Sequence, residues 1–595
     1  MNDNLMENLN KEQLDAVTHK EGPVLIVAGA GTGKTSVITQ RIAYIIEQNW
    51  AKPEEILALT FTEKAAGEME ERVDRLLPMG YLDLWISTFH SFGERILKEY
   101  GTEIGLPSDA KLLNEFEQWV LIKKNLDKFN LDYYRPLGNP TKFIQALVKH
   151  FSRLKDEDIS PAQYLAYAED LRQNLDTMLS GAKKKRGTKV RNNITLANYC
   201  NSQGEFDAEI AEQEVLRINE VANAYSIYQQ LLLDNNALDF GDLINYSLKL
   251  FRERPRILEK YRQQFKYILL DEFQDTNWAQ YELIKLLAAP KNNLVVVGDD
   301  DQSIYKFRGA SVSNILQFKK DFPKAKEIVL VKNYRSRQNL LDLSYRFIQL
   351  NNPNRLECKL NSGKTKNNCL DKKLIAQNKG EGVIEVIEGE DVQDETRKII
   401  SKIEEIKEKN KEVSWNDFGI LVRANDSARE ICARLDKAGL PYIFLASRGL
   451  YVKPIIIDVI SYFKLLDNYH ESIALYRVLN LPVFNFSHKE IVDFNYIAYK
   501  KAWSLFSALN SLHGKMGIEV QAKVDRLLQL IERHTALVKI KTVGEIYLSF
   551  LNDSGYLELL TRQDEKDSQE SIGYLNQFLK RIQKFEAASD DKSVR

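Results

Sequence analysis

The stretch VLIVAGAGTGKTSVITQRIAYII, residues 24–46, joins a strand pattern to a helix pattern through a run of small residues. Residues 24–27 are apolar and mostly β-branched, which favours a strand buried on both faces of a parallel sheet. Apolar residues then recur at helical spacing, at Val37, Ile38, Ile42, Ile45 and Ile46. The small residues are therefore predicted to form a turn between a strand and a helix.

This turn has the composition of a phosphate-binding loop. Without bulky side chains, its backbone N–H groups can surround an anion at the positive end of the following helix. Lys34 supplies a charge for the β- and γ-phosphates, and the Thr35 hydroxyl is a natural Mg²⁺ ligand. A dinucleotide fingerprint is excluded, because Lys34 stands where its third glycine is required. The expected nucleotide-binding residues are Ala28, Gly29, Ala30, Gly31, Thr32, Gly33, Lys34, Thr35 and Ser36.

Composition places the chain among large globular proteins. It has 595 residues, 44% of them hydrophobic, and its 83 basic residues nearly balance 84 acidic ones. Overall charge therefore does not attract nucleic acid, and any such binding must be local. The four cysteines form no C-x-x-C pair, which argues against a metal cluster or a disulfide framework and favours the cytoplasm. No apolar run is long enough for a bilayer, so no membrane partner is expected.

The order of strand-like and helical patterns predicts an α/β fold with helical insertions. Residues 1–105 and 231–330 are expected to share one sheet, interrupted by a helical insertion over 106–230. A second α/β unit is expected over 331–454, followed by a helical segment over 455–595.

The most biased segment is KKKRGTKVR, Lys183–Arg191, with six basic side chains in nine residues. Two interpretations stay open: a solvated loop, or a patch that contacts phosphates.

A second segment, YILLDEFQDT, provides what a hydrolytic nucleotide site needs beside the phosphate loop. Asp271 follows a buried strand and is expected to hold Mg²⁺ through its water shell. Glu272 is expected to polarise the attacking water as general base. The alternative is that the acidic pair merely caps a helix.

The next strand pattern ends in the segment GDDDQSIYKFRGA, residues 298–310. Gln302 is placed to sense a γ-phosphate. Tyr305 and Phe307 are two residues apart, so on an extended segment they would share a face and stack on bases, with Arg308 as a nearby cation. Ordinary aromatic core packing is the alternative.

Seven segments in order resemble superfamily 1 DNA helicases of the UvrD, Rep and PcrA type. They are LNKEQLDAV, AGAGTGKT, ALTFTEKAAGEM, STFHSF, LLDEFQDT, VGDDDQSIYKFRGA and KNYRS, which resemble the Q motif and motifs I, Ia, Ib, II, III and IV. The resemblance implies two RecA-like parallel-sheet motor domains, the second incomplete here, with helical insertion domains.

The resemblance also implies roles for individual residues. In the nucleotide site it implies Gln13 as adenine reader, Tyr334 as adenine stacker, Arg335 as arginine finger and Arg41 as a further contact. On the DNA it implies backbone contacts by Thr60, Thr88 and His90 and base contacts by Phe61, Phe240, Tyr305 and Phe307. Glu63 stands where relatives commonly have asparagine. This departure puts the contact of residue 63 with the DNA backbone in question.

Relatives continue into motifs V and VI, resembling IHSAKGLE and YVAxTRA, and neither is found in this sequence. The chain is therefore expected to be an N-terminal fragment with weak ATPase activity, and a second chain that completes the motor is an expected partner. The expected function is a 3′ to 5′ helicase that uses ATP and Mg²⁺ on single-stranded DNA and junctions in DNA repair or replication, with repair proteins as partners. Two alternatives stay open: a subunit of a RecB- or AddA-like helicase-nuclease, and a nucleotide-regulated DNA-binding scaffold.

Overall fold

The computed structural model of the protein describes residues 6, 9–77, 84–107, 109–181, 207–304, 313–361, 371–444, 450–538, 540–561 and 565–588. The chain divides into two compact units, Met1–Ile384 and Glu385–Arg595.

A six-stranded parallel sheet forms the centre of the first unit. The strands of this unit are β1 (Val24–Ala28), β2 (Ile56–Thr60), β3 (Trp85–Thr88), β4 (Lys111–Leu112), β5 (Ala237–Leu238), β6 (Tyr267–Leu270), β7 (Leu294–Gly298), β8 (Lys326–Leu330), β9 (Lys332–Asn333) and β10 (Ile375–Ala376). The sheet order is β3-β2-β6-β7-β1-β8. The carboxyl ends of β1, β2, β6 and β7 therefore meet along one edge, where a parallel sheet places ligands.

Helices cover both faces of this sheet, which explains its apolar strands. Leu25 and Val27 pack into one hydrophobic core, whereas Val24 and Ile26 pack into a second core on the opposite face. The predicted α/β class is confirmed by this arrangement. The helices of the unit are α1 (Lys11–Thr18), α2 (Lys34–Glu47), α3 (Glu63–Leu76), α4 (Phe89–Tyr100), α5 (Glu115–Lys124), α6 (Ile144–Asp156), α7 (Pro161–Gly181), α8 (Ala208–Asp234), α9 (Phe240–Glu253), α10 (Pro255–Gln264), α11 (Trp278–Ala288), α12 (Ser313–Asp321), α13 (Gln338–Ile348) and α14 (Leu356–Asn361).

A helical insertion leaves the sheet domain after β4 and returns at β5. These two short strands pair in parallel, with Lys111 opposite Ala237 and Leu112 opposite Leu238. Between them, α5 to α8 enclose a separate core in which Phe151 stacks on Tyr225 and Tyr228. The basic tract Lys183–Arg191 lies outside the described residues.

Residues 331–384, predicted from sequence to open the second α/β unit, belong to the first compact unit in the structure. The preceding strand β8 pairs with β1 at the edge of the sheet, with Val24 opposite Lys326. This pairing delivers β9 directly to the phosphate loop, where the Tyr334 amide donates to the Gly31 carbonyl at 2.9 Å.

The regular secondary structure described in the second unit is helical. Its helices are α15 (Val392–Lys409), α16 (Ala428–Ala438), α17 (Pro454–Asp467), α18 (Ser472–Leu479), α19 (His488–Lys501), α20 (Leu505–Leu512), α21 (Ile518–Val538), α22 (Val543–Asp553), α23 (Tyr556–Thr561) and α24 (Glu565–Ala588). Helices α17 to α24 share one hydrophobic core. No described helix combines the length and the apolar character that a membrane span requires.

Three strand-like segments predicted between residues 331 and 454 are not strands in the described residues. They are GVIEVIEG (382–389), DFGILVRA (417–424) and the described part of LPYIFLA (440–444). Their apolar side chains are largely exposed, with Leu421 97% and Val386 84% accessible. A strand forms only when a neighbour satisfies its backbone groups, and no described segment of this unit pairs with them. The strand prediction for these segments was wrong for this structure.

Candidate nucleotide-binding site

The phosphate loop lies between the buried strand β1 and the start of α2, as predicted. Gly31 and Gly33 have φ values of 75° and 88°, in the left-handed region that glycine adopts without strain. A Cβ atom on Gly31 would also lie 2.7 Å from the Arg335 Cβ atom and 2.7 Å from the Asn333 side-chain nitrogen. Glycine at this position therefore permits both the loop conformation and the close approach of the segment after β9.

Lys34, the first residue of α2, joins the loop to two other strand ends. Its ammonium lies 2.6 Å from Glu272 Oε2 and donates to Gln302 Oε1 at 3.1 Å. Glu272 itself has a left-handed backbone, with φ 49° and ψ 45°. Non-glycine residues rarely adopt this left-handed backbone conformation, and those that do are often found at functional sites. The structure thus brings together the loop lysine and the carboxylate and amide that the sequence singled out after β6 and β7.

Thr35 and Asp271 form the second contact across the site. The Thr35 hydroxyl donates to Asp271 Oδ2 at 3.1 Å, and Asp271 is 4% exposed. Burial, reinforced by the neighbouring Glu272 carboxylate, raises the pKa of Asp271 to about 6. A hydroxyl and a carboxylate at this separation are the hard oxygen donors that Mg²⁺ prefers, so these residues fit a magnesium ion beside the phosphate loop.

Gln302 is oriented by Asp299. Its Nε2 donates to Asp299 Oδ2 at 2.7 Å, so its Oε1 faces the Lys34 ammonium. Asp299 lies directly after β7, and its backbone amide donates to Gln274 Oε1 at 3.0 Å. Gln274 in turn donates to Glu272 Oε2 at 2.7 Å. One hydrogen-bonded network therefore joins the ends of β1, β6 and β7.

Gln13 and Tyr334, the residues implied to contact adenine, both lie beside the loop. Gln13 Nε2 donates to the Thr32 carbonyl at 2.9 Å, while its backbone is held by the cap of Asn10 at the start of α1. The Tyr334 hydroxyl accepts from Asn10 Nδ2 at 3.0 Å, and the Tyr334 ring is 45% exposed. An open aromatic face next to the phosphate loop suits stacking on a base.

Asn333 is a site residue that the sequence reasoning missed. Its Nδ2 donates to the Ala30 carbonyl at 2.6 Å, and its Oδ1 accepts from the backbone amides of Arg335 and Ser336 at 2.9 and 2.7 Å. This buried amide therefore fixes the Arg335 backbone against the loop. The sequence signal for Asn333 was its position next to Tyr334 in the KNYRS segment.

Arg41 contacts helix α1 in the structure. Its guanidinium Nη1 donates to the carbonyls of Ala16 and Val17 at 2.9 and 3.2 Å. It is 1% exposed, and burial lowers its pKa to about 10. These contacts tie the end of α1 to α2, and a direct nucleotide contact by Arg41 stays a prediction.

The residues implied to hold DNA follow β2 and β3 at the same edge of the sheet. The Thr88 hydroxyl donates to Glu63 Oε1 at 2.7 Å, and the Ser91 hydroxyl donates to the same oxygen at 2.6 Å. These two hydrogen bonds lower the pKa of Glu63, which is therefore ionised at neutral pH. The Glu63 carboxylate thus accepts hydrogen bonds from the hydroxyls of both Thr88 and Ser91. Thr60 is buried, and its hydroxyl has no hydrogen-bond partner among the described residues.

Phe240 is the exposed aromatic of this region. It begins α9, is 48% exposed and meets His90 edge to face at a centroid distance of 5.8 Å. Burial lowers the pKa of His90, so the ring is neutral at physiological pH. Phe61 directly follows β2. Tyr305, Phe307 and Arg308 lie outside the described residues.

Two family models match the chain. The UvrD/REP helicase N-terminal domain matches residues 9–323, and the UvrD-like helicase C-terminal domain matches residues 328–594. Three similar proteins are each named ATP-dependent DNA helicase PcrA. That of Bacillus subtilis is 34% identical over 594 residues, 99% of this chain and 71% of the relative. That of Leuconostoc citreum is 32% identical over 593 residues, 99% of this chain and 69% of the relative. That of Staphylococcus aureus strain COL is 33% identical over 579 residues, 97% of this chain and 70% of the relative.

These matches test the expectation that the chain is an N-terminal fragment. Because the C-terminal family model matches residues 328–594, the expectation that the chain lacks the C-terminal part of the family is not supported. The side chains at the carboxyl edge of the sheet and both family models indicate the same family. The chain belongs to the UvrD/REP helicase family.

Proposed function

We propose that this protein is an ATP-dependent DNA helicase that couples hydrolysis of ATP to movement on single-stranded DNA. The observation that carries the proposal is the convergence of Lys34, Glu272 and Gln302 at the carboxyl edge of the parallel sheet. Lysine, general base and γ-phosphate sensor are the parts that hydrolysis of a nucleoside triphosphate requires. The relatives are named ATP-dependent DNA helicases, and these names support ATP and DNA as the substrates.

The contacts of Lys34 give a physical order to the reaction. In the structure the Lys34 ammonium lies 2.6 Å from Glu272 Oε2 and neutralises its charge. A bound γ-phosphate competes for the same ammonium, which frees the Glu272 carboxylate to accept a proton from water. Mg²⁺ held by Thr35 and Asp271 would neutralise charge on the β- and γ-phosphates.

Arg335 is proposed as the arginine finger. Its Cβ atom lies against Gly31, and Asn333 fixes its backbone, while its side chain remains exposed. A guanidinium that reaches the γ-phosphate stabilises the charge of the transition state. Tyr334 is proposed to stack on the adenine.

The DNA track is proposed to follow the ends of β2 and β3. Thr60, Thr88 and His90 would hold the strand backbone, and Phe61 and Phe240 would stack on bases. Single-stranded DNA and its junctions with duplex are the proposed substrates, with 3′ to 5′ polarity and a role in DNA repair by resemblance to the family.

ATPase measurements with and without single-stranded DNA test this proposal. We expect DNA to stimulate hydrolysis, and Lys34→Ala to lower the stimulated rate by about 10²–10³-fold, the usual cost of losing a transition-state contact. Lys98→Ala is the matched control, because the Lys98 side chain is 70% exposed near the end of α4 and pairs with Glu94 on the same helix. Hydrolysis that survives Lys34→Ala would show that the site lies elsewhere. ATP and DNA binding without stimulated turnover would instead favour a nucleotide-regulated DNA-binding scaffold.

A further inference from the structure

Three consecutive aspartates after β7 surround a single buried lysine. The Lys372 ammonium lies 2.5 Å from Asp299 Oδ1 and 2.8 Å from Asp301 Oδ2, and it also contacts Asp300. The Lys372 side chain is 4% exposed. Arg355 pairs with the far side of the cluster through two bonds to Asp301, at 2.8 and 2.7 Å.

The lysine reaches this turn from a distant part of the sequence. The aspartates lie in the residues matched by the N-terminal family model, whereas Lys372 lies in those matched by the C-terminal one. Between 71 and 73 positions separate the partners in the chain, yet all belong to the first compact unit. A segment of the C-terminal family region therefore holds the turn that carries Gln302.

Asp299 links this lysine to the nucleotide site. One of its oxygens accepts from Lys372 and the other accepts from Gln302 Nε2 at 2.7 Å. The amide nitrogen of Gln302 is thereby turned away from Lys34, and its oxygen is presented to the Lys34 ammonium. The opposite orientation would place an amide N–H against a cation and leave Asp299 without its donor.

Charge makes the arrangement depend on Lys372. Oxygens of the three aspartates lie within 4.8 Å of one another. Burial lowers the pKa of Lys372 but the three carboxylates raise it, with a net increase, so the lysine stays charged. Without this cation, the like charges of the turn repel one another. Arg355 contacts Asp301 and also pairs with Glu357, but it does not reach Asp299 in the described contacts.

We propose that Lys372 is a positioning residue for the γ-phosphate sensor: through Asp299 it fixes the Gln302 amide in the orientation that distinguishes ATP from ADP. The inference rests on the proposed ATPase function for its biological meaning. Its physical content is a ratio of two nucleotide affinities, which can be measured whether or not the protein hydrolyses ATP.

The test is a double-mutant cycle of Lys372→Met and Gln302→Ala, read by the ratio of the ADP and β,γ-imido-ATP dissociation constants. We expect each single variant to reduce this ratio about tenfold, and the double variant to reduce it no further than Gln302→Ala alone. Lys373→Met is the control, because the neighbouring Lys373 is 54% exposed and pairs with Asp342 outside the turn. Its ratio is expected to match the wild type.

Folding is checked by the thermal midpoint of each variant. Should Lys372→Met not fold, the variant Lys372→Met with Asp301→Asn replaces it in the same cycle, because it removes one of the three repelling charges and leaves Asp299 without its cation. An unchanged ratio, or an equal reduction in the Gln302→Ala background, would overturn the inference. Failure of the proposed function has a different signature: no DNA-stimulated hydrolysis by the wild type, with the affinity cycle still giving its own answer.

Discussion

Replacing Lys155 by methionine is expected to destabilise the first unit. Lys155 lies near the end of α6 with its side chain 1% exposed, and its ammonium contacts Asp239 at 2.7 Å and Asp242 at 2.8 Å. Both aspartates belong to the cap of α9, the helix that begins with Phe240. Methionine preserves most of the apolar volume but leaves two carboxylates buried without their cation.

The magnitude follows from these contacts. Removing one partner of a buried ion pair costs about 3–5 kcal/mol, because the remaining charge cannot regain its hydration. If Met1–Ile384 unfolds as one unit, an entropy of about 2.1 cal/mol/K per residue gives about 0.8 kcal/mol/K for the unit. The midpoint of thermal unfolding should therefore fall by about 4–6 °C at neutral pH.

Differential scanning calorimetry measures this shift. Lys149→Met is the control, since Lys149 is exposed on the same helix, and it is expected to change stability by less than about 0.5 kcal/mol. Adding Asp239→Asn and Asp242→Asn to Lys155→Met should recover most of the loss, because asparagine also caps helices and carries no charge.

Acid should also reduce the loss. Burial and the neighbouring Asp239 raise the pKa of Asp242 above its unfolded value, so the folded state takes up a proton before the unfolded state does. Lowering the pH toward that pKa therefore neutralises the uncompensated charge in Lys155→Met. A midpoint equal to that of Lys149→Met at neutral pH would refute the assignment of a stabilising buried ion pair.

Three further outcomes are expected. Asn333→Ala should raise the KM for ATP about tenfold, because the Ala30 carbonyl of the phosphate loop and the backbone amides of Arg335 and Ser336 lose their partner; an unchanged KM in steady-state ATPase assays would contradict this. Glu63→Gln should strengthen single-stranded DNA binding roughly threefold or more in fluorescence anisotropy, since it removes a negative charge beside Thr88, and weaker or equal binding would argue against a DNA phosphate there. Asp156→Asn should raise the thermal midpoint above pH 7 while leaving it unchanged near pH 4. Burial raises the pKa of Asp156 to about 7 from 3.8, so native stability falls as the pH rises through that window, and asparagine keeps the bond from Asn277 without the charge. Parallel midpoint curves for the two proteins would contradict it.

Local sequence was sufficient to predict the phosphate loop and the polar residues that follow the strands. A buried strand, two glycines that adopt positive φ, and the residues Lys34 and Thr35 all lie within twelve consecutive positions, 24–35. Such features follow from backbone sterics and burial, which neighbouring residues decide. The family expected from seven ordered motifs is confirmed by both family models.

Strand formation in the second half of the chain shows where local pattern failed. Segments such as residues 417–424 have strand-like composition but are not strands in the described structure. Composition expresses a preference for a pleated, half-buried surface, whereas a strand also needs a neighbouring backbone. Whether such a neighbour exists is a property of the tertiary structure.

By itself the sequence predicted which side chains would bind a nucleotide and its metal, because those predictions depend on residue type and on position in a loop or at the end of a strand. Only the tertiary structure decided which distant partners restrain them. Lys34 meets Glu272 across 238 positions, and Lys372 meets Asp299 across 73. Charges so far apart in the chain leave no common periodicity in the sequence. The parallel sheet brings Lys34 and Glu272 together at its carboxyl edge, and the segment before β10 brings Lys372 to the turn after β7.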